Sequence, residues 1–278
     1  LTHTDGQIAS TCVRNREDVA ALRSWIASWE DPARQADSRR TPDCAPRYLE
    51  QLANLYFDLG IACYEAEEPR PAVLQALRLA GEYTVLEREA RREPISVTSR
   101  NFYELIQRTL GLVTCWCSKE WRHRLLRLPR WAYDWPFDPE HVFDRASRPE
   151  PRKKELRYFR GYLRQALHFL EEGALIPADL EALLPALEGG KGPKKEQEGE
   201  ETLSSLRALL ALARKDGEAL DEALDSLLEL HGRRARRGPY RAMPEGRICM
   251  NGMFLTQLAR ESGLSVNVSS PYLPLDLL

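Results

Sequence analysis

The sequence predicts an all-α protein, a multi-helix bundle of antiparallel helical hairpins that ends in a short extended tail. Apolar side chains recur at three- and four-residue spacing along most of the 278 residues, which is the period of one buried helix face. Glycine or proline interrupts the pattern where one stripe gives way to the next, as at Pro69, Gly173, Gly217 and Gly263. Only residues 264–268 alternate with the two-residue period of a strand.

Val19, Leu22, Trp25, Ile26 and Trp29 mark a first amphipathic helix. Asn15 is placed to cap it, and Glu17 and Asp18 suit the positive end of its dipole. A polar loop is expected over residues 31–45. Leu49, Leu52, Leu55, Tyr56, Leu59 and Cys63 form the next stripe, and after Pro69 and Pro71 a partner stripe runs through Val73, Leu77, Ala80 and Gly81. Two stripes joined by a short turn predict a helical hairpin. Within it Tyr56, Leu59, Gly60 and Ala72 are similar to the spacing of a tetratricopeptide repeat. Cys63, Ala76 and Thr84 depart from that pattern, and no second copy follows, whereas a solenoid needs about three.

Another helix is expected from Thr98 or Ser99, burying Phe102, Leu105, Ile106, Thr109, Leu110, Val113 and Trp116, with Trp121 extending it. Between residues 128 and 151 the periodicity fails: Pro129, Pro136, Pro139, Pro149 and Pro151 break up a stretch that holds Trp131, Tyr133, Trp135, Phe137 and Phe143. This aromatic loop is the expected functional segment. Helix signals resume with Leu156, Phe159, Leu163, Leu167 and Leu170, stop at Gly173 and return briefly after Pro177. Residues 189–201 contain no large apolar side chain and read as a mobile linker between an N-terminal region, 1–188, and a C-terminal region, 202–278, which are expected to pack as one unit. Leu203, Leu206, Leu209, Leu210 and Ala213 then define one helix, and Leu220, Leu224, Leu227 and Leu228 another, parted at Asp216 and Gly217. A last helix near 254–261 precedes the tail, where Val266, Val268, Pro271 and Pro274 favour extended backbone.

Composition narrows the function. With 40 basic against 42 acidic side chains, the chain lacks the basic excess that a nucleic-acid binder exchanges for counterions. Charges break every hydrophobic run well short of the roughly 20 residues a membrane span needs. Residues 1–10 are polar and do not resemble a secretory signal, so a cytoplasmic protein is expected. Six scattered cysteines fit reduced thiols. Cys115 and Cys117 are close in sequence, but residues two apart on a helix point about 200° apart and do not grip one metal ion. No metal or cofactor is expected.

No set of residues is arranged for catalysis. There is no serine elbow, no paired-histidine zinc motif and no glycine-rich phosphate cradle following a strand. Asp134, Asp138, Glu140, His141 and Asp144 crowd together in the aromatic loop, where aspartates before a short helix have an ordinary capping role. An enzyme built on Asp138, His141 and Asp144 is the reading from a different class. Arg233, Arg234, Arg236 and Arg237 follow a leucine-striped helix whose negative end they complement, and they also suit an acidic partner. Trp131, Tyr133, Trp135, Asp138, Arg233 and Arg234 are the expected partner contacts, because interface hot spots favour Trp, Tyr and Arg.

From Phe254 onward the chain reads FLTQLARESGLSVNVSSPYLPLDLL. Leu255, Leu258 and Ala259 sit on a helix that Gly263 ends, followed by Val266, Val268, Ser270, Pro271, Tyr272, Leu273, Pro274 and Leu277. This stretch resembles the C-terminal portion of the immunity protein 49 family of bacterial polymorphic toxin systems. AVLQALRLAGEYTVLEREA and ALDSLLELHGRRARRG resemble that family's helices more loosely. The resemblance implies an all-helical cytoplasmic antidote that binds and silences a cognate toxin, with no catalytic residues and no cofactor. A helical adaptor that takes peptides in a tetratricopeptide-like groove is the alternative.

Overall fold

The computed structural model describes residues 16–38, 44–91, 102–128, 150–188 and 197–278. Among them are eleven α-helices and no strand, so the all-α expectation holds. The stretches 129–149 and 189–196, which include most of the aromatic loop and of the expected linker, lie outside the described residues.

Helix α1 (Arg16–Trp29) buries Val19, Leu22 and Ile26 against α3 (Cys44–Glu65). Trp25, read as part of that stripe, stands outside it at 42 % exposure. On an ideal wheel it lies roughly 90° from the centre of the other three residues, too far round to reach the core. The expected loop over 31–45 also needs correction, for it contains α2 (Pro32–Ser38) and the start of α3. Asp31 nucleates α2 by accepting the Ala33 amide at 2.7 Å, one position before a proline at home in a first turn.

α3 and α4 (Arg70–Ala90) form the predicted hairpin. Its turn places Glu67 at φ 54°, and the Glu68 amide donates back to the Cys63 carbonyl. Gly60 lets the helices approach so closely that a Cβ there would lie 2.6 Å from Leu77 Cδ2. Tyr56 and Tyr83 stack with ring centroids 5.6 Å apart, and both hydroxyls donate to Glu30 from the end of α1.

α5 (Phe102–Trp116) packs on α4, and it ends before Trp121. The backbone turns at Ser118 into a separate helix, α6 (Lys119–Arg127), and Arg122 donates to the Thr114 carbonyl, one of those left open at the end of α5. α7 (Glu150–Glu172) ends at Gly173, which adopts φ 69°. α8 (Pro177–Glu188) folds back on it, with Gln165 accepting the Ile176 amide and donating to Asp179. α9 begins at Gln197, so residues 197–201 of the expected linker are helical; the glutamates there suit a helix N-terminus. α9 (Gln197–Arg214) and α10 (Gly217–Arg237) pair as a second hairpin, whose turn Asp216 caps by accepting from the Ala219 amide at 3.0 Å.

After two 3-10 turns, Pro239–Ala242 and Pro244–Gly246, α11 (Met250–Glu261) crosses α5. The tail leaves at Gly263, at φ 75°, and carries Val268, Leu273 and Leu277 into the core. It is pinned by Cys249 N–H to the Tyr272 carbonyl, Trp116 Nε1 to the Leu277 carbonyl and two bonds from Asn267 to Asp221.

The crossing of α5 and α11 rests on Gly111, where a Cβ would meet the Met250 carbonyl oxygen at 2.8 Å. A backbone atom cannot swing aside as a side-chain end can. Gly111→Ala is expected to cost about 1–3 kcal/mol despite alanine's better helix propensity. The conservative Gly217→Ala has open space and serves as the comparison. Urea unfolding of the two variants checks this, and equal stabilities would contradict the tight crossing.

Candidate partner-binding surface

Of the residues nominated from sequence, Trp131, Tyr133, Trp135 and Asp138 lie outside the described residues, as do His141 and Asp144. The two arginines are described, and they part company. Consecutive helix positions point about 100° apart, so a run of basic residues cannot share one face. Arg233 is exposed and meets Glu200 at 3.3 Å, a solvated pair of little energetic consequence. Arg234 turns inward, its side chain 7 % exposed, and donates to Glu201 at 2.5 Å and to the Tyr240 hydroxyl at 3.3 Å. The expectation that Arg234 meets a partner at the surface is therefore replaced by an interior role, tying α10 to α9.

His231, one turn before Arg234, is buried between the rings of Tyr240 and Tyr272, with centroids 5.6 and 5.1 Å away. Burial and then the nearby Arg234 charge lower its pKa to about 4, against the favourable bond to the Gly246 backbone. Among the described residues its Nε2 meets no hydrogen-bond partner. A neutral imidazole in this setting is a packing element. A second interior chain joins three helices: the Tyr162 hydroxyl of α7 donates to Asn251 of α11 at 2.5 Å, and Asn251 donates to Ser205 of α9 at 2.7 Å.

A third polar group marks the joint between α3, α5 and the turn at Pro244–Gly246. Arg108 donates to Glu245 at 3.1 Å and to Asn54 at 2.6 Å, and its guanidinium lies 5.3 Å from the centre of the Phe57 ring. Asp58, one turn beyond Asn54, sits beside this pair. Burial, and then the charge of Glu245, raise its pKa to about 7, while Arg108 pulls the other way. Sequence reading missed this group because its members are scattered from position 54 to 245 and no local spacing announces them.

The outer face of the first helix presents Trp25 among Ala21, Ser24 and Ser28, all exposed. Large exposed apolar side chains among the described residues also include Ile176, at the turn before α8. The wheel position of Trp25 was the signal available in the sequence.

Among the described residues, no group of His, Cys, Asp and Glu is disposed to hold a metal ion, and no helix is long and apolar enough to cross a membrane. The class so defined is an all-α protein whose second half is a helical hairpin, α9 and α10, clasped by α7, α8, α11 and a buried tail. Residues 153–277 match the family model for Immunity protein 49, the family suggested by the 254–278 stretch, and the match runs from within α7 to a 3-10 turn at Leu275–Leu277 in the tail. The matched stretch covers just under half of the chain. No curated protein and no solved structure matches the chain.

Proposed function

We propose that the protein is a cytoplasmic immunity protein of a polymorphic toxin system that binds a cognate bacterial toxin and neutralises it by direct contact. The observation that carries this reading is the family match over residues 153–277. The internal ties of that region support it: the Arg234–Glu201 pair and the Tyr162–Asn251–Ser205 chain hold α7, α9, α10 and α11 in one arrangement. A surface that is already fixed loses little freedom on docking, which favours tight binding. Trp131, Tyr133, Trp135, Asp138 and Arg233 are proposed as contacts. Residues 1–188 and 202–278 act as one unit in this reading.

The test is co-expression with the toxin-domain protein encoded beside it. The wild-type chain is expected to restore growth and to form a complex stable to gel filtration. Trp131→Ala and Trp135→Ala are expected to weaken that complex about 30-fold while leaving the melting temperature unchanged. Absence of both rescue and binding by the wild-type chain overturns the proposal.

A further inference from the structure

A groove of about 450 Å³ opens between α4, the end of α5 and the last residues of the tail. Leu74, Trp116 and Leu277 line its apolar part, and Arg70 and Arg78 stand along α4 on either side of Leu74. Residues four apart on a helix share a face, so Arg70 and Arg78 leave the helix on the same side as Leu74, their backbone positions about 12 Å apart along the axis. Arg70 is exposed and pairs with no acidic residue among the described residues. Arg78 is half exposed, and its contact with Glu82 is a loose 3.9 Å. Among the described residues, no aspartate or glutamate lines the groove.

The walls are held in place without using those charges. Trp116 Nε1 donates to the Leu277 carbonyl at 2.9 Å, and Cys117 Sγ donates to the Arg78 carbonyl at 3.5 Å. An apolar floor flanked by the Arg70 guanidinium and by Arg78, whose only pairing among the described residues is the loose contact with Glu82, complements one kind of occupant: a protein segment that presents a carboxylate next to a large apolar side chain. Arginine binds carboxylates through paired hydrogen bonds, and tryptophan with arginine is a frequent centre of interface energy.

We infer that this groove is a docking site for an acidic, apolar-flanked segment of a protein partner. The partner is the toxin if the proposed immunity function holds, and on that point the inference rests on that reading. Arg70 and Arg78 supply charge recognition, and Leu74 and Trp116 receive the apolar side chain.

Two arms test it. In the first, the whole protein selects from a displayed library of random peptides of about 12 residues. The enriched peptides are expected to carry Asp or Glu beside Leu, Ile or Phe. Arg70→Glu and Arg78→Glu are each expected to weaken them about tenfold, whereas Arg164→Glu, an exposed change elsewhere on α7, leaves them unchanged. Peptides with Lys in place of the acid are expected to prefer the Arg70→Glu and Arg78→Glu proteins. In the second arm, the same variants are titrated with the toxin-domain protein used above. No enrichment, or enriched peptides indifferent to Arg70 and Arg78, would overturn the groove assignment. So would toxin binding untouched by either reversal, even with the immunity reading intact. If the wild-type chain fails to bind the toxin, the immunity reading falls and the peptide arm alone decides the groove. Unchanged melting temperatures show that the reversals act at the surface.

Discussion

Replacing Arg234 with leucine is expected to lower the unfolding free energy by about 3–5 kcal/mol, because the Glu201 carboxylate is then left in the interior without its cation. For a chain of this size the melting temperature should fall by about 10 °C. Arg233→Leu removes the neighbouring charge from an exposed pair and should cost under about 1 kcal/mol. The double variant Arg234→Leu with Glu201→Leu should recover most of the loss, since two apolar groups of similar size need no partner. Equal losses at 233 and 234, or a double variant no better than the single, would show that the inward pair is not what holds α10 to α9.

The second large effect is a pair of opposed pH dependences. The folded-state pKa of Asp58 is about 7 against an ordinary 3.8, so between those values the native state holds a proton that the unfolded chain releases. Stability therefore falls as pH rises through that window, by about 1.4 kcal/mol per pH unit. For His231 the folded value is about 4 against an ordinary 6.5, so the unfolded chain holds the extra proton and stability rises with pH over that interval. Between about pH 4 and 6.5 the two contributions nearly cancel.

Asp58→Asn should therefore expose the rising limb of His231, with a gain of about 4 kcal/mol at most above pH 7. His231→Gln should expose the falling limb of Asp58. Glu65 and Glu87 are also raised by burial and slope the same way as Asp58, so the readout is the difference from wild type. Urea titrations at about pH 5, 6 and 8 measure these differences. Variant curves parallel to wild type across this range would contradict the assigned environments.

Helix existence was legible in the sequence wherever one apolar face sufficed, as in α3, α4, α9 and α10. Elements set by capping were not. α2 has no apolar stripe and depends on Asp31 ahead of a proline, and the break between α5 and α6 depends on Arg122 reaching the Thr114 carbonyl. Side-chain direction was the other gap. Arg233 and Arg234 are equivalent as letters, yet one is solvated and the other is clamped by Glu201, which lies in a stretch too polar to suggest a helix. The Asn54, Asp58, Arg108 and Glu245 joint and the Tyr240–His231–Tyr272 ring cluster exist only once distant elements meet.

The crossing of α11 over α5 also sets an order of events during synthesis. Ile106, Leu110 and Val113 are buried in the finished protein, but the helix that crosses them begins only at Met250. At about 5–20 residues per second, α5 waits on the order of 10 s after leaving the ribosome before its cover arrives. The hairpin of α3 and α4 closes early and covers one side of α5, whereas the side that α11 crosses stays open until translation is nearly through residue 261. A nascent chain stalled before that point should be the species that chaperones hold and proteases find.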